Sequence, residues 1–395
     1  MIFYNYLTDS QVRGFDSYKY SSVDSSPVAV YISHPFWNRV VTICPHWLAP
    51  NVLTFSGMLL VMAGFLLCSY YDYFLYASSD DVSDFVPVPE WLFLILAIFT
   101  FCAHVMDGID GKQARRTGTS GPTGELFDHG IDSWLTVPFT VTFFTIFGRS
   151  DYSVSALRLL MIVVLVQLVF IITHWEKYNT GILFLSWAYD ISQYSLALGY
   201  FIVWVIGYKS LKFRLIEGWD IYPSHIAEGA FYLSSLGMSI PMSLYNFIQS
   251  YRLKTGRMLS PYEAMLPLFS VTVLFSTAMI WALNSPLNIV DLDPRAFIWL
   301  VGTIFSNITC RLIVAQMAHT RCEVFNRLLY PYLVLFAIVM TLPGLLGRWE
   351  LYLVRCLAVA VTLAHIHYGA CVIRQMCDHF DINCFSIKKK TSTMN

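Results

Sequence analysis

Long apolar stretches recur along almost the whole chain, separated by short polar segments. A bilayer core is crossed by roughly 20 consecutive apolar residues in a helix, so repeated runs of this length indicate a protein that crosses the membrane many times. The pattern predicts about ten transmembrane helices, at 52–71, 91–106, 133–147, 154–173, 185–206, 227–247, 264–283, 296–317, 328–346 and 351–372. The predicted fold class is therefore an all-α polytopic membrane protein.

The segment before the first apolar run has a different pattern. From Val28 to Leu48, aromatic side chains are mixed with two histidines and an arginine. Such a mixture favours an amphipathic helix lying in the membrane interface, with an ordinary soluble loop as the alternative. We therefore divide the chain into an N-terminal cytosolic or interfacial segment (1–51), a transmembrane domain (52–376) and a basic cytosolic tail (377–395).

The composition supports the membrane class. Of 395 residues, 56% are hydrophobic and only 13% are charged, which is more apolar surface than a soluble domain buries. The net charge of -1 excludes a generally basic surface, and we expect no nucleic-acid partner. The nine cysteines lack a paired C-x-x-C spacing and lie mostly in apolar runs, which is typical of small buried side chains rather than zinc ligands or disulfides.

The distribution of Lys and Arg predicts the orientation in the membrane. The loop after the first predicted helix is acidic and has no Lys or Arg, whereas the next loop, the loop after the sixth helix and the tail are basic. One loop, with Lys209, Lys212 and Arg214, has the opposite bias. Under the positive-inside rule the majority places residues 107–132 and both termini on the cytosolic side.

Four aspartates lie close together between the second and third predicted helices. Asp107 and Asp110 are three residues apart, and Asp128 and Asp132 are four apart, so each pair shares one face of a helix. A Gly-Pro break between the pairs predicts that the chain turns back, which brings the four carboxylates together across a helical hairpin (107–132). A carboxylate inside a bilayer costs roughly 2.5 to 3.5 kcal/mol, and we expect divalent cations to offset that cost.

Carboxylates in this arrangement suit a particular chemistry. Magnesium is held by a few carboxylates together with substrate phosphates. Two acids from each helix can ligate two ions, and two ions about 3.5 to 4 Å apart stabilise the attacking and leaving oxygens of a phosphoryl displacement. Asp107 and Asp128 are our candidates for ligands that bridge both ions.

The residues around the aspartates fit a substrate with a diphosphate. Lys112 and Arg115 supply positive charge, and the Arg115 fork can bind a phosphate bidentately. Gly108, Gly111 and Gly124 remove side chains where a helix or a nucleotide comes close.

Two further side chains are candidates for the reaction itself. His129 lies beside Asp128 and can accept a proton from an attacking hydroxyl near neutral pH, although a supporting role beside the metal ligands is the alternative. Asp132 is the next candidate for the proton acceptor. Glu125 shares a helix face with the second aspartate pair, where it either binds a substrate ammonium group or caps the start of the helix.

The hairpin resembles the signature of the CDP-alcohol phosphotransferase family, D-x-x-D-G-x-x-A-R, eight residues, then G-x-x-x-D-x-x-x-D. The pattern is filled here by Asp107, Asp110, Gly111, Ala114, Arg115, Gly124, Asp128 and Asp132. Segments such as WLAPNVLTFSG, GELFDHGIDSW and HWEKYNTGILFL resemble the eukaryotic ethanolamine and choline enzymes of the family over nearly the full length. The last of them favours the ethanolamine branch.

The resemblance implies ten transmembrane helices, a homodimer in endoplasmic reticulum or Golgi membranes, and dependence on Mg²⁺ or Mn²⁺. It implies metal binding by the four aspartates, proton acceptance by His129 and a substrate contact at Asn51. The implied reaction transfers phosphoethanolamine from CDP-ethanolamine to a membrane lipid, diacylglycerol or its ether analogue. The products are phosphatidylethanolamine, or its ether form, and CMP.

Two alternatives stay open at this point. In a choline or dual-specificity enzyme a trimethylammonium head favours an aromatic cage, whereas a primary ammonium needs hydrogen-bond acceptors. Tyr, Trp and Glu are all available, so the sequence does not decide between them. A divalent-cation transporter would explain the buried acids but not the accompanying Arg, Lys and Gly residues.

Overall fold

A computed structural model describes residues 3–78, 86–149 and 152–388, most of which are helical. The α-helices are α1 (Asp9–Gly14), α2 (His34–Val40), α3 (Pro50–Tyr71), α4 (Glu90–Thr117), α5 (Pro122–Phe144), α6 (Ala156–Thr180), α7 (Ala188–Ile206), α8 (Pro223–Tyr232), α9 (Ile240–Leu253), α10 (Pro261–Asn284), α11 (Ile289–Leu292), α12 (Pro294–Met317), α13 (Leu329–Thr341), α14 (Pro343–Leu346) and α15 (Trp349–Phe380). Two-residue strands, β1 (Ser22–Val23) and β2 (Leu183–Phe184), pair in parallel. The predicted all-α class is confirmed.

Helices occupy all ten places where the apolar pattern predicts a membrane span. The sixth is composite, because a π-helical stretch, Leu233–Ser239, joins α8 to α9. Within the described part of the chain, six helices are long and apolar enough to cross a membrane, namely α3, α4, α6, α10, α12 and α15. By contrast α13 has only 13 residues. Ten crossings therefore remain a prediction, whereas the polytopic membrane class is supported.

Among the candidate spans, α12 is the most buried and lies inside the bundle. In the most apolar 18-residue stretch of α12, 89% of the residues are buried. In the corresponding stretches of the other five candidate spans, at most 44% are buried. Gly302 allows α5 to come close, because a Cβ there would lie 2.1 Å from Val137 Cγ2. The hydroxyls of Ser133 on α5 and Ser306 on α12 are 2.6 Å apart. Small and hydroxylated residues thus fix α5, which carries the second aspartate pair, against the centre of the bundle.

The N-terminal segment forms a helix made of a π turn (Ala29–Ser33), α2 and a 3₁₀ turn (Val41–Ile43). Trp37 packs directly on Gly108 of α4, where a Cβ would lie 2.2 Å from the indole Cε2. Gly108 therefore admits an aromatic side chain of the N-terminal segment. This contact ties the segment to the helix that carries the first aspartate pair.

The opposite face of that N-terminal helix is apolar and exposed. The exposed fractions of Tyr31 and Ile43 are 79% and 82%, and Ile32 is more than half exposed. An apolar face left uncovered by the rest of the protein fits the predicted helix in the membrane interface. Its depth in the membrane stays a prediction.

The predicted hairpin is formed by α4 and α5. Gly118, with a φ of +68°, is in the left-handed region that ends helices, and Pro122 stands in the first turn of the next one. Only residues 118–121 separate the two helices. The predicted break at Gly121 and Pro122 lies at the start of α5, so the turn is present, and α3 packs against both arms.

Candidate active site

The hairpin brings the aspartates of its two arms together. Carboxylate oxygens of Asp107, Asp110 and Asp128 lie within 4.8 Å of one another. Asp132, one helical turn after Asp128, is outside that group but lines the same cavity as Asp107. The aspartates of the two helices therefore form one acidic centre, and the Asp132 carboxylate lies at its border.

The donor set of this centre fits a divalent cation. The Oδ1 atom of Asp128 is buried and has no hydrogen-bond partner in the part of the chain that the structure describes. A buried carboxylate oxygen without a partner is costly, and a group of acids at this distance adds mutual repulsion. Hard cations that prefer oxygen ligands remove both costs at once. The cluster can therefore hold a divalent metal ion.

Two side chains that sequence reasoning did not select hold the carboxylates in place. The Tyr189 hydroxyl on α7 donates to Asp107 Oδ2 at 2.7 Å, and the Thr54 hydroxyl on α3 donates to Asp110 Oδ2. Hydrogen bonds of this kind orient the ligands of a metal site. Neither residue has a sequence spacing that relates it to the aspartates, so no local signal could have identified them.

The predicted substrate contacts lie at the start of α3 and around the hairpin. Asn51 donates to the backbone carbonyl of Cys384 at 3.1 Å, so the C-terminal segment reaches the site. A Cβ on Gly124 would lie 3.6 Å from Asn51 Oδ1, and one on Gly111 would meet only Arg115 Nη1, at 3.7 Å. A Cβ at either glycine would therefore make only ordinary van der Waals contacts. Ala114, one turn after Asp110, is half-buried.

The three basic residues of the hairpin have different surroundings. Lys112 donates to Asn38 Oδ1 at 2.9 Å, and Arg116 donates to the backbone carbonyls of Val41 and Cys44 at the end of the N-terminal helix. Arg115 is exposed, and its guanidinium forms no hydrogen bond or ion pair with another residue in the described part of the chain. Of the three, Arg115 is thus the one whose guanidinium is available for a phosphate.

Glu125 forms a buried ion pair. Lys177 on α6 donates to Glu125 Oε1, and the exposed fractions of the two side chains are 3% and 4%. The Tyr18 hydroxyl donates to Oε2 at 2.5 Å, and the ring of Tyr20 lies 4.9 Å from Lys177 Nζ. Burial and then the Glu125 carboxylate raise the pKa of Tyr18, so this hydroxyl stays a donor. Both oxygens of Glu125 therefore already have cationic or hydroxyl partners.

Replacing Glu125 with Gln should destabilise the protein, because it leaves the Lys177 cation buried without its counter-charge. Breaking a buried ion pair costs about 3 to 5 kcal/mol. We expect a clearly lower Tm in detergent. The matched control is Asp378→Asn, which breaks the exposed pair with Arg374 (N···O 3.6 Å) and should leave Tm unchanged. Equal Tm values for the two variants would contradict the structural role of the buried pair.

His129 borders the aspartate cluster. Its Nε2 lies 3.8 Å from Asp128 Oδ2, which is beyond hydrogen-bond distance. The ring meets the ring of His174 edge-on, with the centroids 5.2 Å apart. The side chain is 13% exposed. His129 therefore lies next to the carboxylates without a direct bond to them.

The fold and the site together define a class: a helical membrane protein whose carboxylates, on the two arms of a hairpin, can bind divalent cations beside an available arginine. Comparison with known proteins agrees. Residues 47–206, which include all four aspartates, match the model of the CDP-alcohol phosphatidyltransferase family. The chain belongs to this family, as the hairpin motif predicts, and is an enzyme of its class.

Similarity to individual relatives extends over nearly the whole chain. The chain is 47% identical to human ethanolaminephosphotransferase 1, over 98% of this chain and 96% of that protein. Identity to the mouse protein of the same name is 46%, with the same coverage. A choline/ethanolaminephosphotransferase 1 of Arabidopsis thaliana is 27% identical, over 98% of this chain and 99% of the plant protein.

Proposed function

We propose that this enzyme transfers phosphoethanolamine from CDP-ethanolamine to diacylglycerol or an alkyl-acyl analogue. The products are phosphatidylethanolamine, or its ether form, and CMP. The observation that carries the proposal is the cluster of Asp107, Asp110 and Asp128 within 4.8 Å in the family's signature hairpin. The 47% identity to human ethanolaminephosphotransferase 1 favours ethanolamine as the head group.

The proposed cofactor is a pair of Mg²⁺ or Mn²⁺ ions held by Asp107, Asp110, Asp128 and Asp132. Bound there, the ions supply positive charge to the diphosphate as the bond to CMP breaks. Tyr189 and Thr54 fix the orientation of two of these carboxylates through their hydroxyls. Two ions, rather than one, follow from the number of acids and remain part of the proposal.

The other predicted residues act on the substrates. Arg115, whose guanidinium is exposed and has no partner among the described residues, binds the diphosphate, with Lys112 adding positive charge nearby. The nucleotide lies against Gly111 and Gly124, and Asn51 and Ala114 lie around it. His129 accepts the proton of the acceptor hydroxyl, and Asp132 is the alternative acceptor. Glu125 influences the head group through its ion pair with Lys177 rather than as a free carboxylate.

The proposal also includes the oligomeric state, the membrane, the orientation and the domain division. The enzyme works as a homodimer in endoplasmic reticulum or Golgi membranes, with the hairpin facing the cytosol. Residues 52–376 form the transmembrane catalytic domain, between the segment 1–51 and the tail 377–395. The basic residues of the hairpin loop support this orientation.

The head-group choice is tested by the release of CMP from the purified protein in detergent. With diacylglycerol present, we expect kcat/KM for CDP-ethanolamine to exceed that for CDP-choline at least tenfold, which is about 1.4 kcal/mol of discrimination. Omitting diacylglycerol and adding a chelator are the two controls, and both should abolish the signal.

Other outcomes would decide against the proposal in different ways. Equal or better use of CDP-choline would support the dual-specificity alternative, which the name of the Arabidopsis relative raises. No CMP release with either nucleotide, together with divalent-cation flux into proteoliposomes, would instead support a transporter.

A further inference from the structure

A small cavity extends from the aspartate cluster away from the hairpin turn. Its volume is about 30 Å³, and Asp107 and Asp132 line one end of it. The other lining residues include Val61, Leu135 and Phe139, each of which is farther from the hairpin turn along its own helix. The cavity therefore leads from the charged centre into the apolar part of the bundle.

Buried polar atoms without partners surround this cavity. His104, on α4 one turn before Asp107, lines it and is only 3% exposed. Among the described residues, neither ring nitrogen of His104 has a hydrogen-bond partner, nor has Oε1 of Gln193, which lines the cavity from α7. His104 Nε2 lies 3.6 Å from Asp190 Oδ1, beyond hydrogen-bond distance. Buried polar atoms are nearly always paired, so several unpaired ones in one place mark a site that a polar group of a ligand can enter.

The surroundings of His104 also limit what that ligand can be. The ring is enclosed by aromatic side chains, with centroids 5.4 Å from Trp37 and 4.9 Å from Tyr194. The cavity has room for little more than one hydroxymethyl group, since a bound water needs roughly 10 to 15 Å³ by the same measure. Its walls include aliphatic and aromatic side chains, so a long polar molecule does not fit. A hydroxyl group on an otherwise apolar molecule matches the size, the polarity and the unpaired atoms.

We propose that this cavity binds the hydroxyl-bearing glycerol end of the lipid acceptor, with His104 and Gln193 as its hydrogen-bond partners. The inference rests on the proposed function, because it takes a diglyceride as the acceptor. A hydroxyl both donates and accepts, so before the transfer it can accept from a ring N–H of His104 and donate to Gln193 Oε1. Its proton then passes to the base, His129 or Asp132, when the hydroxyl oxygen attacks the diphosphate. A group bound there lies beside Asp107 and Asp132, where the diphosphate is to be attacked. The acyl chains extend past the partly exposed Met58 and Phe139 toward the outer surface of the bundle.

The principal test is His104→Phe, which keeps an aromatic ring between Trp37 and Tyr194 but removes both nitrogens. We expect KM for 1,2-dioctanoylglycerol to rise at least tenfold while KM for CDP-ethanolamine changes less than twofold. Gln193→Leu changes a residue on a different helix and should likewise raise KM for the lipid without raising KM for CDP-ethanolamine. It replaces His104→Phe as the test if that variant does not fold. His104→Gln restores a polar group and should return KM for the lipid to within about threefold of the wild-type value.

A matched control separates binding from packing. Tyr194→Phe keeps the ring that packs against His104 and removes a hydroxyl that lies 3.1 Å from the Ser33 hydroxyl, so both KM values should stay unchanged. Equal rises in both KM values for His104→Phe, or no rescue by His104→Gln, would overturn the proposal and leave a packing role.

Direct binding distinguishes failure of this inference from failure of the proposed function. Kd for 1,2-dioctanoylglycerol is measured with wild-type protein and with His104→Phe, without any nucleotide. A tenfold weaker Kd supports the cavity as a diglyceride site even if the protein uses another CDP-alcohol. An unchanged Kd overturns the inference even if CMP release from CDP-ethanolamine is normal.

Discussion

Replacing Asp107 with Asn should lower kcat by at least a thousandfold, which corresponds to about 4 kcal/mol of transition-state stabilisation. The amide has nearly the shape of the carboxylate but not its charge, and Asp107 lies within 4.8 Å of both Asp110 and Asp128. Losing one charged ligand from a shared centre weakens the binding of every ion held there. The same substitution at Asp110, Asp128 or Asp132 should also reduce kcat by orders of magnitude.

The fold of the Asp107→Asn protein should survive, because the substitution relieves repulsion between neighbouring carboxylates. In a chelator its Tm should equal or exceed that of the wild type. Added Mg²⁺ should raise the Tm of the wild type, by the equivalent of about 2.7 kcal/mol at a hundred times Kd, and have less effect on the variant. Asp16→Asn, which removes an exposed partner of His379, is the control and should keep full activity. A near-normal rate for Asp107→Asn at saturating Mg²⁺ would contradict the two-metal mechanism.

Replacing His129 with Ala should lower kcat about a hundredfold or more, the usual contribution of a general base. The hydroxyl of a diglyceride is a weak nucleophile, and the His129 imidazole lies beside the aspartate cluster, with Nε2 3.8 Å from Asp128 Oδ2. Kd for CDP-ethanolamine should stay close to that of the wild type, because the aspartates and Arg115 are retained. Turnover and nucleotide binding, measured on the same preparation, separate these two effects.

The neighbouring His174 provides a matched control for the base. Its ring meets His129 edge-on, and Gln316 lies within 3.5 Å of its Nδ1. His174→Gln should therefore disturb the packing around His129 while the proposed proton acceptor is retained, and we expect less than a tenfold loss. If His129→Ala keeps the wild-type kcat, the proton acceptor is to be sought at Asp132 or at a metal-bound water. Similar losses in both variants would indicate that His129 supports the site through packing.

Local patterns in the sequence determined the helices and the hairpin. A bilayer imposes a length on each span, and an α-helix imposes its period, so apolar runs and the spacing of Asp107, Asp110, Asp128 and Asp132 are readable without a structure. The turn between α4 and α5 was readable from Gly121 and Pro122, since proline favours the first turn of a helix. That Gly118 ends α4 was seen only in the structure. The family signature combines these local features, which explains why the comparison with known proteins confirmed it.

Only the tertiary structure decided which apolar helix is central and which side chains meet. Protein interior and lipid are equally apolar, so the sequence could not distinguish the buried α12 from helices that face lipid. The hydrogen bonds from Tyr189 and Thr54 to the aspartates span 82 and 56 residues, and the ion pair between Glu125 and Lys177 spans 52. Such contacts depend on how the helices pack, which the local periodicity of the sequence does not determine. For the same reason the sequence could not predict that the two nitrogens of His104 lie unpaired among the described residues, at a cavity between α3, α4, α5 and α7.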